Sequence, residues 1–288
     1  MTIAIANAPV SFGAFELTVG IVPDVPDAET VLDDVASAGY SGIDLGPAGY
    51  LGDAGNIRDH LARRDLSLCG GFVELPFQDP DRMEAGLRDL SAVLDIFDAA
   101  AANNSLAPKP TLAAITREGS VSFDSGTWRR FADGVERAVA ACRDRGYEPT
   151  FHHETGSYVQ SPAEIEKVLE LTSIGLCLDT GHLLLGGGDP ALAVREWRER
   201  INHFHLKDAH RSVVRDIVRE SAPLSEIWHR KAFCRLGDGD LDVDAVLDQV
   251  RDFYAGWIVV EQDILPEPGS TATADQRANR EYLAARGF

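Results

Sequence analysis

The sequence predicts an α/β fold, a single-domain (β/α)8 barrel (TIM barrel) that spans residues 1–288. Three observations lead to this prediction. Short apolar runs rich in β-forming residues alternate with longer amphipathic segments, eight of each kind follow one another, and the composition does not change between them. With 44% hydrophobic residues, a chain of 288 residues can bury the large core that such a barrel needs.

The segments follow one another in the order that a barrel requires. The predicted strands are 3–9, 42–46, 66–74, 111–116, 149–154, 174–182, 201–208 and 256–263. The predicted helices are 27–38, 54–64, 80–102, 125–145, 161–171, 189–199, 242–253 and 274–285. Ser161 and Asp189 each precede a proline and are typical helix starts, while Gly39 and Gly146 are typical helix ends.

A doubly wound open sheet is the main alternative for this alternation. That fold normally has a glycine-rich fingerprint after its first strand, and the segment NAPVSFG at 7–13 is not one. The glycines at 186–188 lack the Gly-Lys-Ser/Thr sequence of a phosphate-binding loop. The barrel is therefore favoured. The one long irregular stretch, 209–240, is predicted to be a lid at the carboxyl face of the barrel.

The charge balance argues against two classes of partner. The chain has 27 basic and 46 acidic residues, a formal net charge of −19, which repels phosphate backbones and anionic lipid surfaces. Neither nucleic acid nor a membrane is therefore expected as a partner. The start, MTIAIANAPV, does not resemble a signal peptide, and the four cysteines form no CxxC motif. These features predict a cytoplasmic protein with reduced cysteines.

Ionisable residues stand at the carboxyl end of four successive predicted strands, the fifth to the eighth. They are Glu154, Asp179, His205 and Glu261. In a barrel the carboxyl ends of all strands converge on one mouth. A single residue of this kind is more often a helix cap, a surface ion pair or a packed histidine. Four of them on consecutive strands at matching depth indicate one shared site.

The chemistry of these four side chains favours a metal ion. Three carboxylates and one imidazole that face each other without a cation would repel one another and lose their hydration at high cost. A divalent cation removes that conflict. One ion is therefore predicted, with Mn²⁺ preferred and Mg²⁺, Co²⁺ or Zn²⁺ also compatible with the oxygen-rich ligand set.

Other polar residues are predicted to surround the same mouth. His182 lies where the chain leaves the sixth strand, and Lys207 stands at the rim. One of the two histidines before Glu154 should face inward, because side chains alternate along a strand. The candidates for substrate binding are His182, Arg211, Glu74, Asn7 and His153.

Four segments of the chain match a family pattern: 152–169 (HHETGSYVQSPAEIEKVL), 174–190 (IGLCLDTGHLLLGGGDP), 201–211 (INHFHLKDAHR) and 236–263. They resemble the sugar phosphate isomerase/epimerase superfamily, the xylose-isomerase-like barrels. The resemblance implies the metal set Glu154, Asp179, His205 and Glu261. It also implies that the two glutamates form the acid/base pair, and that His182 and Arg211 hold substrate oxygens.

Within the superfamily, the start IAIANAPVSFG, the phrase VQSPAEI, the DTGH turn and the HFHLKD strand are most similar to inosose dehydratases. One position departs from that pattern. Inosose dehydratases have His-Pro-His and then Met-Gly where this chain has His152-His153-Glu154-Thr155-Gly156, and Glu154 is typical of ketose epimerases and isomerases instead. The expected substrate is therefore an inosose or another keto-sugar, and dehydration and epimerisation or isomerisation both stay open.

The two reactions share one chemistry. A metal that binds a ketone and its neighbouring hydroxyl acidifies the intervening C–H, and a base at the mouth removes that proton. Glu154 and Glu261 are the predicted proton-transfer pair. His182 and Lys207 are predicted to orient the substrate or to assist a leaving hydroxyl.

Two other classes of function fit the sequence less well. A DNA endonuclease of the same superfamily would need further metal ligands and a basic face, which the net charge of −19 argues against. A non-catalytic sugar-binding barrel would be favoured by loss of a metal ligand, and all four are present. A homo-oligomer is expected by analogy with related barrels.

Overall fold

The computed structural model describes residues 2–101, 104, 106–117 and 123–288. Its strands are β1 (Ile3–Asn7), β2 (Gly42–Asp44), β3 (Ser67–Leu75), β4 (Lys109–Ala114), β5 (Thr150–His152), β6 (Gly175–Asp179), β7 (Ile201–Leu206), β8 (Asp208–Ala209), β9 (Phe233–Cys234) and β10 (Gly256–Val260). Its α-helices are α1 (Ala28–Ala38), α2 (Ile57–Ala62), α3 (Pro80–Ala101), α4 (Ser125–Asp144), α5 (Pro162–Leu171), α6 (Thr180–Leu185), α7 (Pro190–Glu196), α8 (Arg211–Glu220), α9 (Glu226–His229), α10 (Val243–Arg251) and α11 (Ala272–Ala284).

Eight parallel strands close into a barrel, in the order β1-β10-β7-β6-β5-β4-β3-β2. The ring closes between the first and the last strand, where Ile3 pairs with Gly256 and Asn7 with Val260. Helices surround this ring and bury its outer face in the main hydrophobic core. The predicted (β/α)8 barrel is confirmed.

Seven of the eight predicted strands end earlier in the structure, and three of these ends affect the site. The first stops at Asn7, and a 3-10 turn with Pro9 in its first position follows. The fifth stops at His152 rather than at residue 154. The sixth stops at Asp179, because its carboxylate caps α6 by accepting a hydrogen bond from the backbone N–H of His182 at 2.8 Å. His182 therefore lies on a helix, within what was predicted as strand 174–182.

The prediction that 209–240 is irregular was wrong. The segment begins in the small antiparallel sheet of β8 and β9 and contains α8 and α9. Asp208 organises its far end, since its carboxylate accepts hydrogen bonds from the backbone N–H groups of Gly237, Gly239 and Leu241 at 2.9–3.0 Å. The four residues of α9 give little periodicity, but the prediction overlooked the apolar residues that α8 has at helical spacing, Val213, Val214, Ile217 and Val218.

Small side chains line part of the barrel interior. Ala6, Ala8, Cys69 and Val259 cluster with Trp257, whose ring fills the space over Gly42. A β-carbon at Gly42 would lie 2.7 Å from that ring, so the close approach requires glycine. No helix in the described part of the chain is long and apolar enough to cross a membrane.

Candidate functional site

Three side chains from neighbouring strands meet at the carboxyl end of the barrel. Asp179 Oδ2 lies 3.4 Å from His152 Nε2 and 3.8 Å from His205 Nδ1, and all three residues are almost completely buried. Each stands at or near the end of a parallel strand, so the barrel closure brings them together. Their nearest donor atoms lie within 4.8 Å of one another, a spacing that one metal ion can bridge.

Glu261 and Lys207 extend this group. Glu261 Oε2 lies 3.1 Å from His205 Nδ1 and 3.0 Å from Lys207 Nζ. The same ammonium lies 3.2 Å from Asp179 Oδ2 and 2.7 Å from Asp263 Oδ1. The side chain of Lys207 is only 2% exposed. One buried ammonium thus stands among three buried carboxylates, so the group has an excess of negative charge that protonated histidines or a bound cation must balance.

The environment fixes the charge of each carboxylate. Although burial opposes ionisation, Lys207 and His182 hold the pKa of Asp179 well below its usual range. His205 and Lys207 likewise lower the pKa of Glu261 against the effect of burial. Burial lowers the pKa of His152 to about 4, so this imidazole is neutral at pH 7. Two ionised carboxylates and the neutral His152 are in the protonation states that metal binding needs. Cys177 and Glu261 raise the pKa of His205 against the effect of burial, so this imidazole holds a proton that it must release when a metal binds.

The donor set fits a divalent metal ion. His152, Asp179, His205 and Glu261 would supply two nitrogen and two oxygen donors. Within the described part of the chain, neither ring nitrogen of His205 has a hydrogen bond of acceptable geometry, and His152 Nδ1 has none either. Buried polar atoms are normally satisfied, so donors left without partners around excess negative charge indicate a cation.

Glu154 stands apart from this group although it lines the same cavity. Among the described residues, the ligand atoms of His152, Asp179 and His205 all lie within 4.8 Å of one another, and neither Glu154 nor Glu261 completes a group of four at that spacing. Glu261 joins the three through its 3.1 Å contact with His205. The chain leaves β5 after His152, and Glu154 is only partly buried. Burial nevertheless raises the pKa of the Glu154 carboxyl to about 7. Glu154 is thus placed to exchange a proton near neutral pH rather than to complete the cluster.

His182 lies between the cluster and the cavity. Its Nε2 atom lies 3.4 Å from Asp263 Oδ2 and 3.3 Å from Lys207 Nζ, while Nδ1 lies 3.0 Å from Thr155 Oγ1. Burial and Lys207 oppose its charged form, but Asp179 and Asp263 raise the pKa of His182. This imidazole can therefore hold a proton at the cavity wall.

An aromatic and apolar wall closes the other side of the cavity. Phe15, Phe72 and Trp228 line it, and the rings of Phe15 and Trp228 lie 5.9 Å apart. Trp228 belongs to α9, within the segment 209–240, so that segment contributes to the cavity. Its predicted role as a movable lid stays a prediction. An aromatic wall such as this one can pack against the C–H surface of a polyol ring.

Four predicted substrate-binding residues lie outside the cavity wall. Asn7 Nδ2 donates to Gln276 of α11, outside the barrel. His153 Nε2 accepts from the backbone N–H of Asp179 at 3.3 Å. Arg211 is exposed and donates to the carbonyl oxygen of Gly188. Glu74 is exposed on β3 and does not line the cavity.

Three residues that line the cavity were not predicted from the sequence: Asp263, Glu16 and Asp44. A signal existed for two of them. Asp44 lies within the second predicted strand, and Asp263 ends the eighth. Glu16 lies in a loop with no pattern that could have indicated it. Of the two histidines before Glu154, one of which was expected to face inward, His152 lines the cavity.

Fold and site together define a parallel α/β barrel with a metal-competent cluster of histidines and carboxylates at its carboxyl mouth. A family model described as "Xylose isomerase-like TIM barrel" matches residues 32–284. The chain belongs to that family.

The chain is also similar to curated proteins and solved structures. It is 27% identical over 277 residues to an inosose dehydratase of Geobacillus kaustophilus (strain HTA426), covering 91% of this chain and 89% of the relative. An inosose dehydratase of Lacticaseibacillus casei is 25% identical, with 82% of each chain covered. Two solved structures share the fold over 99% of this chain. They are the IOLI protein with a bound zinc atom (TM-score 0.74, 10% identity, 99% of that chain) and an L-ribulose 3-epimerase (TM-score 0.70, 16% identity, 94% of that chain).

Proposed function

We propose that this chain is a divalent-metal-dependent lyase that removes water from a keto-polyol of the inosose type. The observation that supports this best is the composition of the buried cluster. His152 takes the place beside Asp179 and His205, while Glu154 stands free of it on the cavity wall. A metal-bound pair of glutamates, the arrangement that favoured epimerisation in the sequence, is therefore not the arrangement proposed. The curated relatives named inosose dehydratase support the same choice.

His152, Asp179, His205 and Glu261 would hold the metal. When bound, the metal supplies a Lewis acid that polarises a substrate ketone and its neighbouring hydroxyl, which acidifies the C–H bond between them. The remaining steps belong to the side chains of this chain, and each has a candidate on the cavity wall.

Glu154 is the proposed base. It lines the cavity without a place in the cluster, so its carboxylate is free to accept a proton from a substrate carbon. Its pKa of about 7, raised by burial, matches that of a base that works near neutral pH. This role keeps one half of the predicted Glu154–Glu261 pair and assigns Glu261 to the metal.

His182 is the proposed acid for the departing hydroxyl. Its Nε2 atom lies within 3.4 Å of both Asp263 and Lys207, and these neighbours fix the ring orientation. A protonated imidazole at this wall can donate its proton to the hydroxyl oxygen as the C–O bond breaks. Lys207 stays between the carboxylates and orients the substrate oxygens.

A product assay tests this function. The protein, loaded with Mn²⁺, is incubated with 2-keto-myo-inositol in D2O and followed by NMR. The proposal predicts loss of water and the appearance of a dehydrated diketone. Deuterium uptake at the carbon next to the ketone without loss of water would instead indicate an epimerase or isomerase. No exchange and no product across a panel of inososes and free ketoses would contradict an enzyme of this class.

A further inference from the structure

A second group of metal-ligating side chains lies inside the barrel, below the candidate metal cluster. Cys177 of β6 and His203 of β7 have their ligand atoms within 4.8 Å of each other and of a ring nitrogen of His205. Cys177 and His203 are completely buried, and His205 is 3% exposed. Cys177 pairs directly with His203 in the sheet register, so the two strands hold the two side chains side by side.

Ring nitrogens in this group lack hydrogen bonds of acceptable geometry within the described part of the chain. Neither Nδ1 nor Nε2 of His203 has such a partner there. A buried imidazole without any hydrogen bond is unfavourable. His205 turns Nδ1 towards Glu261 and Asp179, and among the described residues its other ring nitrogen, Nε2, has no hydrogen bond of acceptable geometry.

A carboxylate lies within reach of the same space. Asp44 Oδ1 accepts from the backbone N–H of Gly46, but Asp44 Oδ2 is buried and has no partner within the described part of the chain. A β-carbon built on Gly70 would lie 2.8 Å from Asp44 Oδ2 and 3.4 Å from His203 Nε2. Both atoms therefore border the space that glycine leaves open at position 70.

We propose that Cys177, His203 and the inner nitrogen of His205 form a second, interior site for a thiophilic divalent cation such as Zn²⁺, with Asp44 as the fourth ligand. Sulfur and imidazole ligands favour zinc over magnesium or calcium. The thiol releases its proton on coordination. One thiolate and one carboxylate neutralise the ion, so no net charge is buried. With both sites filled, His205 would bind both ions as an imidazolate, with the loss of its ring protons to solvent.

A second cavity lies at the opposite end of the barrel. His203 lines this cavity of about 440 Å³ with Lys109, Asn202 and Trp257, at the amino ends of β4, β7 and β10. The interior site therefore borders a different cavity from the cluster at the mouth, and it also differs in ligand type.

Cobalt spectroscopy tests the interior site. The protein is stripped with a chelator and titrated with Co²⁺ in the presence of a reductant. Cobalt bound to a thiolate gives a charge-transfer absorption in the near ultraviolet, which oxygen and nitrogen ligands do not give. We expect two equivalents of Co²⁺ and this band. C177S should remove the band and one equivalent, and C69S, which changes another buried barrel cysteine, should remove neither.

Two further variants, G70A and E261Q, distinguish the interior site from the cluster at the mouth. G70A, which fills the space beside Asp44 and His203, should weaken the same equivalent at least tenfold even where C177S folds poorly. E261Q should weaken the other equivalent and leave the thiolate band in place. A wild-type protein that binds Co²⁺ without the band would overturn the interior site and leave the proposed lyase function untouched. A band that persists in C177S would overturn it as well.

Discussion

Asp179 and Asp208 are two completely buried carboxylates near the ends of neighbouring barrel strands, and their surroundings differ. Among the described residues, Asp208 accepts hydrogen bonds only from backbone N–H groups, those of Ala209, Gly237 and Gly239 among them. Asp179 caps α6 with one oxygen and turns the other towards the side chains of Lys207 and two histidines.

The difference separates a structural carboxylate from a functional one. The carboxylate of Asp208 accepts the backbone hydrogen bonds that hold the chain between β9 and α10. A β-carbon built on Gly239 would lie only 2.2 Å from Asp208 Oδ1. The free oxygen of Asp179 faces ionisable groups that lack complete hydrogen bonding. A buried carboxylate with backbone partners therefore indicates stability, and one among imidazoles indicates a site. The following predictions test this contrast.

The largest effect is expected at Asp179. D179N removes the charge that faces both histidines, so we expect kcat/KM to fall by about 10³-fold or more, with loss of bound metal. Asparagine can keep the capping hydrogen bond to α6, but it loses the charge that faces the buried Lys207 ammonium, so the melting temperature of the metal-free protein should fall. Product NMR, metal analysis and thermal unfolding measure the three quantities. A D179N variant with full metal content and near-normal activity would show that Asp179 is not part of the site.

The next effect is expected at Glu154. E154Q removes the proposed base, and we expect kcat to fall by about 10²–10⁴-fold. Metal content should stay unchanged, because Glu154 lies outside the cluster. E170Q, on the exposed face of α5, is the matched control and should behave as wild type. If E154Q lost metal together with activity, the ligand set predicted from the sequence would be favoured over the one proposed.

Asp208 should give the opposite pattern. D208N replaces one acceptor oxygen by a donor amide that faces backbone N–H groups, so we expect a loss of about 2–4 kcal/mol in the free energy of unfolding. Metal affinity and activity per folded molecule should be kept. Urea denaturation measures the stability, and metal titration measures the affinity. A stable D208N variant that fails to bind metal would contradict the proposed difference in role between the two aspartates.

The pH dependence should follow the Glu154 carboxyl. Its pKa is raised to about 7, so the base is protonated and inactive below that value. We expect kcat/KM to rise with pH up to about 7 and to fall by about tenfold for each pH unit below it. The residual activity of E154Q should lack this limb. A wild-type profile that stays flat between pH 5 and 8 would exclude Glu154 as the base.

The smallest effect is expected at a helix cap far from the cluster. Ser161 and Glu164 form a capping box at the start of α5. S161A should cost about 1 kcal/mol of stability and leave kcat and metal content unchanged. Chemical denaturation measures the first quantity. A change in kcat would show that α5 is coupled to the site.

The sequence predicted the barrel because the spacing of apolar residues differs between strands and helices. This spacing can be recognised within each short segment, without knowledge of the tertiary structure. It predicted Asp179, His205 and Glu261 as metal ligands because each follows an apolar run that is typical of a buried strand. It placed Glu154 at the end of the fifth strand, whereas β5 ends two residues earlier, at His152.

The remaining differences arise from tertiary structure. Side chains alternate across a strand, so whether His152 or His153 faces the cavity depends on a register that only the closed barrel fixes. Asn7 and Arg211 were expected at the mouth from their position near strand ends. Their partners, on α11 and at Gly188, are distant in sequence and could not be inferred from it.

The most direct test of the cluster is a comparison of Mn²⁺ binding by H152A and E154A, with free Mn²⁺ measured by electron paramagnetic resonance. His152 is within ligand distance of Asp179 and His205, and Glu154 is not in that group. The structure therefore predicts that H152A weakens Mn²⁺ binding at least tenfold and that E154A binds like wild type. Weak binding by E154A together with normal binding by H152A would contradict the proposed ligand set.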